Sequence, residues 1–149
     1  MSGGKGKAAP KLSREELLAR LEAEFPEAAH AVGDYRIEEL WLGGCRVRQR
    51  HHERALRPGG TVSGPIMMGL ADFTMYLAVL SAIGWVPLAV TTNLTINFLK
   101  KPGGRDLIAE ARLLKLGKRL AVGEVALRSD GDDDLVAHVT ATYSIPAVA

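Results

Sequence analysis

From Pro65 to Ile83 the chain reads PIMMGLADFTMYLAVLSAI, a run in which only Asp72, Thr74, Ser81 and the Tyr76 hydroxyl are polar. A helix that is apolar on every side has to be buried. Whatever this chain folds into must therefore wrap its remaining elements around that segment. Burying a carboxylate costs on the order of several kcal/mol unless it is paired, hydrated or neutralised, and Asp72 lies two turns inside the run. This placement marks Asp72 as the candidate chemical centre of an enzyme. The alternative at this point is an aspartate that pairs with a buried arginine or a backbone group.

At roughly 1.5 Å per residue the run approaches a bilayer span, but no second such segment follows and the flanking sequence alternates like strands of a soluble sheet. A buried core helix is the better reading. With 149 residues, 47% hydrophobic and 24% charged, the chain suits one globular domain with a real core. A formal charge of +2 is too mild for nucleic acid, and no polybasic patch points to a membrane surface. The single cysteine, Cys45, leaves no internal disulfide framework, so a reducing, cytoplasmic location is the default expectation. The start, MSGGKGKAAPK, has basic residues with no apolar run behind them. No secretory signal is expected, and residues 1–11 read as a flexible tail ahead of a single domain over 12–149.

Ser13 followed three residues later by Glu16 is a capping box, and Leu17, Leu18, Leu21 and Phe25 recur at helical spacing. A helix over Leu12 to Phe25 follows, ended or kinked by Pro26. Tyr35 to Leu42 and Cys45 to His51 read as strands around a Gly43-Gly44 turn, and Arg57 to Gly60 as a loop. Pro65 suits the opening of the long helix and Gly84 its end. Beyond it the period becomes two, with Leu94, Ile96 and Phe98 on one face and Thr95 and Asn97 on the other. Strands over Leu107 to Leu114, Leu120 to Arg128 and Leu135 to Ile145 complete the set, joined by hairpin turns at Leu116-Gly117-Lys118 and Asp130-Gly131-Asp132. The result is an α+β chain whose antiparallel sheet curls round the apolar helix.

This order of elements resembles the hotdog fold, a curved antiparallel sheet wrapped around a long central helix. Residues 63–72, SGPIMMGLAD, are similar to the HGGxxxxLxD signature of phenylacetate-pathway and related acyl-coenzyme A thioesterases, with Gly64 and Asp72 eight apart as in that signature. TTNLTINFLKKP resembles the family's strand and coenzyme-binding loop, LGKR resembles its next hairpin, and the similarity runs from Tyr35 to Ile145. Ser63 stands where many relatives have histidine, and Pro65 where they have a second glycine. Serine hydrogen-bonds but is no base near neutral pH. The resemblance implies hydrolysis of an acyl-coenzyme A thioester with Asp72 as general base or nucleophile, no cofactor, and assembly as dimers or dimers of dimers.

The chemistry also follows from the residues. A thioester carbonyl becomes an oxyanion on attack, and a backbone N–H at a helix N-terminus, here that of Gly64, is a donor aided by the helix dipole. A carboxylate beside the same carbon deprotonates water or attacks directly, and partial burial would strengthen it as a base. Eight helical residues span about 12 Å, too far for one chain's Gly64 and Asp72 to flank one carbon. Two helices packed antiparallel would bring Gly64 of one copy to Asp72 of another, giving two sites per homodimer.

Candidate substrate contacts are Ser63, Arg57, Met68, Tyr76, Asn97, Lys100, Lys118 and Arg119. Met68 and Met75 border the Asp72 face, and Tyr76, one turn on, either touches the acyl group or packs in the core with its hydroxyl satisfied. Arg57 either orients the thioester or bonds to loop carbonyls. Lys100, Lys101 and Arg105, with Lys115, Lys118 and Arg119, either neutralise coenzyme phosphates or are solvated hairpin residues. No metal site is expected: adjacent His51 and His52 point to opposite faces of a strand, and the acidic tip from Asp130 to Asp134 lacks the ligand order of a calcium loop. Cys45 reads as a small core residue rather than a nucleophile. Two further function classes stay open. A non-catalytic acyl-coenzyme A binder is compatible with Ser63, whereas an acyl-thioester dehydratase needs a loop histidine where Pro58 stands.

Overall fold

The computed structural model describes residues 7–30, 32–52, 56–57 and 61–147, with 56, 57 and 61 through their backbone alone. Ser13 caps the first helix, α1 (Arg14–Glu24): its hydroxyl accepts the Glu16 N–H at 3.1 Å, and the Glu16 carboxylate accepts the Ser13 N–H at 2.9 Å. Leu17 and Leu21 are its buried side. Pro26 opens a second short helix, α2 (Pro26–His30). Residues 7–11, expected as tail, are instead tied to the domain. The Ala8 carbonyl accepts the Leu42 N–H at 2.9 Å, Lys11 N–H donates to the Ser81 carbonyl at 2.8 Å, and the Lys7 ammonium meets Glu39 at 3.1 Å.

Strands β1 (Tyr35–Trp41) and β2 (Gly44–Gln49) form a hairpin whose turn is Leu42-Gly43, one residue earlier than expected. Gly43 takes the positive φ of 81° that the turn needs. Gly44 serves differently, because a Cβ there would fall inside the Trp41 indole. β2 also stops before His51, whose N–H goes to the Asp106 carboxylate at 2.8 Å rather than to a strand partner. The segment expected as a loop includes a two-residue ladder between β3 (Leu56–Arg57) and β4 (Thr61–Val62).

The apolar run is helix α3 (Gly64–Ile83), closed by Gly84 at φ 89°. By length and composition it passes for a membrane span, yet 72% of its apolar window is buried inside the fold. Its polar residues other than Asp72 are satisfied by backbone: Thr74 donates to the Leu70 carbonyl at 2.7 Å, Ser81 to that of Ala78 at 2.6 Å, and Tyr76 to that of Pro87 at 3.0 Å.

Around α3 curls one antiparallel sheet of six strands in the order β1-β2-β6-β7-β8-β5, the later strands being β5 (Val90–Phe98), β6 (Leu107–Leu116), β7 (Leu120–Ser129) and β8 (Leu135–Ser144). This is the hotdog arrangement. Register shifts in the β1–β2, β5–β8, β6–β7 and β7–β8 pairings bend the sheet around the helix. Ala121, Val125 and Leu127 of β7 and Ala137, Val139 and Ala141 of β8 face α3 and are buried. Leu94, Ile96 and Phe98 lie opposite Ala141, Val139 and Ala137, so the alternation expected for β5 holds. β5 ends the sheet, pairing on one side only, and Val90 and Phe98 are more than half exposed.

Candidate functional site

Asp72 is half-buried on α3, and its partners come from two strands distant in sequence. The Thr91 hydroxyl on β5 donates to Asp72 Oδ1 at 2.6 Å, and the Tyr143 hydroxyl on β8 donates to the same oxygen at 2.8 Å while also reaching the Asp72 carbonyl at 3.0 Å. Among the described residues no cation pairs with this carboxylate and no donor meets Oδ2. Among the described residues the arginine-paired alternative finds no partner. Burial, and then the nearby Asp72 charge, push the Tyr143 phenol far above its ordinary range, so Tyr143 stays a protonated donor.

A cavity of about 290 Å³ opens beside Asp72. Phe25, Phe73, Tyr76 and Tyr143 give it four aromatic walls among smaller residues, and Phe25 with Ala28 brings the end of α1 and the start of α2 over it. Phe25 meets Tyr76 edge-on at 6.1 Å, and Tyr76 stacks on Tyr143 at 6.2 Å. Tyr76 therefore contributes its ring, since its hydroxyl is held by Pro87 and its phenol is pushed up to about 12 by burial. A larger hollow of about 510 Å³ near His30, Arg50 and His51 does not include Asp72.

At the other end of the exposed helical stripe, Ser63 occupies the cap position but its hydroxyl caps nothing. Pro65 has no N–H, so the Gly64 N–H is the leading donor of this helix end, without an acceptor among the described residues. The Phe98 ring covers Gly64 so closely that a Cβ there would come within 3.1 Å of it. Between Gly64 and Asp72, Met68 is 40% exposed. Pro65, Met68, Gly69 and Asp72 make a single open face. Met75 leaves this face: it is fully buried against the sheet, contrary to expectation.

The other candidates divide. Asn97 pairs in register with His138, whose side chain lies on the outer side of the sheet with Glu124, so Asn97 faces away from α3. The side chain of Arg57 lies outside the described residues. Lys100 is held by Asp132 at 2.8 Å and Asp134 at 3.2 Å. Lys118 and Arg119 sit exposed on the β6–β7 hairpin. Ser144 pairs with both Val90 and Leu120, whereas Lys100 bonds to Val136. The two basic groups thus lie at opposite ends of β5, roughly 26 Å apart at strand rise, and one chain does not bring them into one patch. Cys45 is buried, donates to the Thr74 carbonyl at 3.2 Å, and has its thiol pushed up by burial, which leaves it inert.

Sequence reasoning missed Thr91, Tyr143 and Phe25 as site residues. One signal was present for Tyr143: it is the large polar exception among the small inward residues of β8.

Comparison with known proteins agrees with the fold. The model of the Thioesterase superfamily matches residues 59–136. A solved structure from a Silicibacter species, provisionally named a thioesterase, is 46% identical, with 95% of this chain and 97% of that one covered at a TM-score of 0.83. A Ralstonia eutropha structure, provisionally named a thioesterase related to phenylacetic acid degradation, is 25% identical, with 89% of this chain and 100% of that one covered at a TM-score of 0.76. A protein of Saccharolobus solfataricus, provisionally named an esterase, is 30% identical over 91% of this chain and 87% of its own length. With a matching family model and a shared hotdog architecture, the chain belongs to the Thioesterase superfamily.

Proposed function

We propose that this protein hydrolyses acyl-coenzyme A thioesters, with Asp72 as general base or nucleophile and the Gly64 N–H of a second copy polarising the carbonyl. The observation that carries the reading is the Asp72 carboxylate, steered by two hydroxyls, paired with no cation among the described residues, and lining a cavity with Phe25, Phe73, Tyr76 and Tyr143. An anion used only for structure is ordinarily neutralised by a cation or by several donors on both oxygens. A carboxylate with one oxygen committed can take up a proton or attack carbon with the other.

The shared site has support in the layout of one chain. The open stripe on α3 and the unpaired edge of β5 run side by side, with Gly64, Phe98 and Lys100 at one end and Asp72, Thr91, Lys118 and Arg119 at the other. An antiparallel pairing of two copies along these surfaces places the Gly64 end of each against the Asp72 end of the other. It also brings Lys100, Lys101 and Arg105 of one copy towards Lys115, Lys118 and Arg119 of its partner, where coenzyme phosphates need cations. The acyl group enters the cavity between Phe25, Tyr76 and Tyr143.

The test is thiol release across a panel of medium-chain and aromatic acyl-coenzyme A esters. At least one should turn over, and Asp72→Asn should lower kcat by roughly 10² or more. Near-normal turnover by a folded Asp72→Asn protein overturns the mechanism. Ligand-induced thermal stabilisation without thiol release from any ester would instead favour the non-catalytic binder, a reading the unused Ser63 hydroxyl leaves in play.

A further inference from the structure

The inward face of β8 runs through Ala137, Val139 and Ala141, all small or medium apolar residues, and then reaches Tyr143, which is 3% exposed. Packing alone asks only for the ring, which stacks on Tyr76 at 6.2 Å. The hydroxyl has a separate engagement. A tyrosine carries one hydroxyl hydrogen, and here it is shared between Asp72 Oδ1 at 2.8 Å and the Asp72 carbonyl at 3.0 Å, a three-centre bond that ties the carboxylate to its own backbone. Thr91 approaches Oδ1 from the edge strand at 2.6 Å. With donors from two different strands on one oxygen, rotation of the carboxylate about its Cβ–Cγ bond would break both bonds, so its plane and the direction of Oδ2 are set.

We propose that Tyr143 is a positioning residue: together with Thr91 it clamps Oδ1 so that Oδ2 is the oxygen that reacts. The inference rests on Asp72 being the base of the proposed hydrolysis. In that step a water proton passes to Oδ2 as the water oxygen bonds to the thioester carbon. On collapse the C–S bond breaks, the sulfur leaves with its electron pair, and the proton returns from Oδ2 to the thiolate, giving acid and thiol. An unclamped carboxylate would present either oxygen at many angles, and catalysis that depends on a near-attack geometry loses rate without losing substrate binding.

The experiment compares Tyr143→Phe and Thr91→Val in the wild-type and Asp72→Asn backgrounds, using thiol release from the best ester of the panel and thermal unfolding as a fold control. In the wild-type background Tyr143→Phe should lower kcat about tenfold with KM within about twofold. In the Asp72→Asn background the same change should alter the residual rate by less than about twofold, because a residue that acts through Asp72 has nothing left to position. Thr91→Val should behave alike and Thr91→Ser should restore the rate, which keeps the test informative if Tyr143→Phe folds poorly. A tenfold loss that persists without Asp72, a loss confined to KM, or folded Tyr143→Phe and Thr91→Val variants with unchanged kcat overturns the clamp. If Asp72→Asn itself retains turnover, the reading of Asp72 as base fails first and the clamp with it. An inactive Asp72→Asn beside a fully active Tyr143→Phe removes the clamp alone.

Discussion

Gly123, in the middle of β7, should not accept a side chain without cost, and Gly123→Ala measures how tightly α3 is seated on the sheet. A Cβ built at this position comes 2.6 Å from Met75 Cε, 2.7 Å from Met75 Sδ and 2.8 Å from the Arg112 carbonyl oxygen. Apolar atoms rest at about 3.5–4.0 Å, so the methionine end must retreat by roughly 1 Å and the carbonyl by about half that. Met75 is fully buried, but a thioether chain can re-route. The carbonyl cannot, because Arg112 is paired across the β6–β7 ladder with Glu124, next to a register shift at Leu113 and Lys115. Overpacking of this kind costs about 2 kcal/mol. Urea denaturation should show that loss as a lower midpoint with unchanged slope. Adding Met75→Ala should relieve part of the overlap but leave the carbonyl contact, so the two changes should couple by about 1 kcal/mol without cancelling. Because Met75 lies one turn beyond Asp72 on α3, the shift should also lower thiol release about tenfold. A Gly123→Ala protein within about 0.5 kcal/mol of wild type would refute the reasoning, since the helix would then not be wedged against β7.

Two other outcomes test the assembly and the electrostatics. Co-expressing Asp72→Asn with Gly64→Pro, each inactive alone but folded and dimeric, should restore about a quarter of wild-type activity: half of randomly formed dimers are mixed, and each mixed dimer keeps one intact site of two. No recovery would place both residues in one chain's site or remove Gly64 as donor. Arg48 bonds Glu38 at 2.6 Å, Asp106 at 3.1 Å and Asp130 at 2.8 Å. Burial tends to raise the Glu38 carboxyl, yet bonds from Arg48 and Arg46 bring it below its ordinary value, while the His51 N–H and Arg48 lower Asp106 and Arg48 lowers Asp130. Folded values depressed in this way add stability above the unfolded range near pH 4, which is lost as pH falls through the folded values. Arg48→Met should therefore lower the urea midpoint at pH 7 and lower it progressively less as pH falls below the carboxylate range. A gap independent of pH in urea midpoints would contradict this assignment.

Much of the fold was legible because its signals are local. The Ser13 and Glu16 pair is three residues apart and caps α1 as expected, and the alternation from Ala137 to Ser144 sorts buried from open residues along β8 as a period of two must, with Val136 buried out of phase at the strand's start. Where a reading failed by a residue, a contact decided it: Gly44 is a glycine for the Trp41 indole rather than for the turn, and residues 7–11 are held by carbonyl and amide groups of Leu42 and Ser81. Neither contact has a signature in a window of neighbouring residues.

The candidate site divides along the same line. That a carboxylate sits inside an apolar helix, eight residues after a glycine at its start, is a property of consecutive residues, and helix rise converts it into a separation of about 12 Å without any knowledge of the rest of the chain. The partners of that carboxylate are another matter. Thr91 and Tyr143 lie 19 and 71 residues away in sequence, and Phe25 reaches the cavity from the far end of the chain's first helix. The separation of Lys100 from Lys118 and Arg119 likewise depends on β5 leaving its neighbours in sequence to pair with β8 at the sheet edge. Strand order and register are set by the summed burial of whole faces, and a one-residue slip would turn every one of these side chains to the opposite side. The sequence by itself therefore determined which residue is chemically out of place, and only the packed sheet decided what surrounds it.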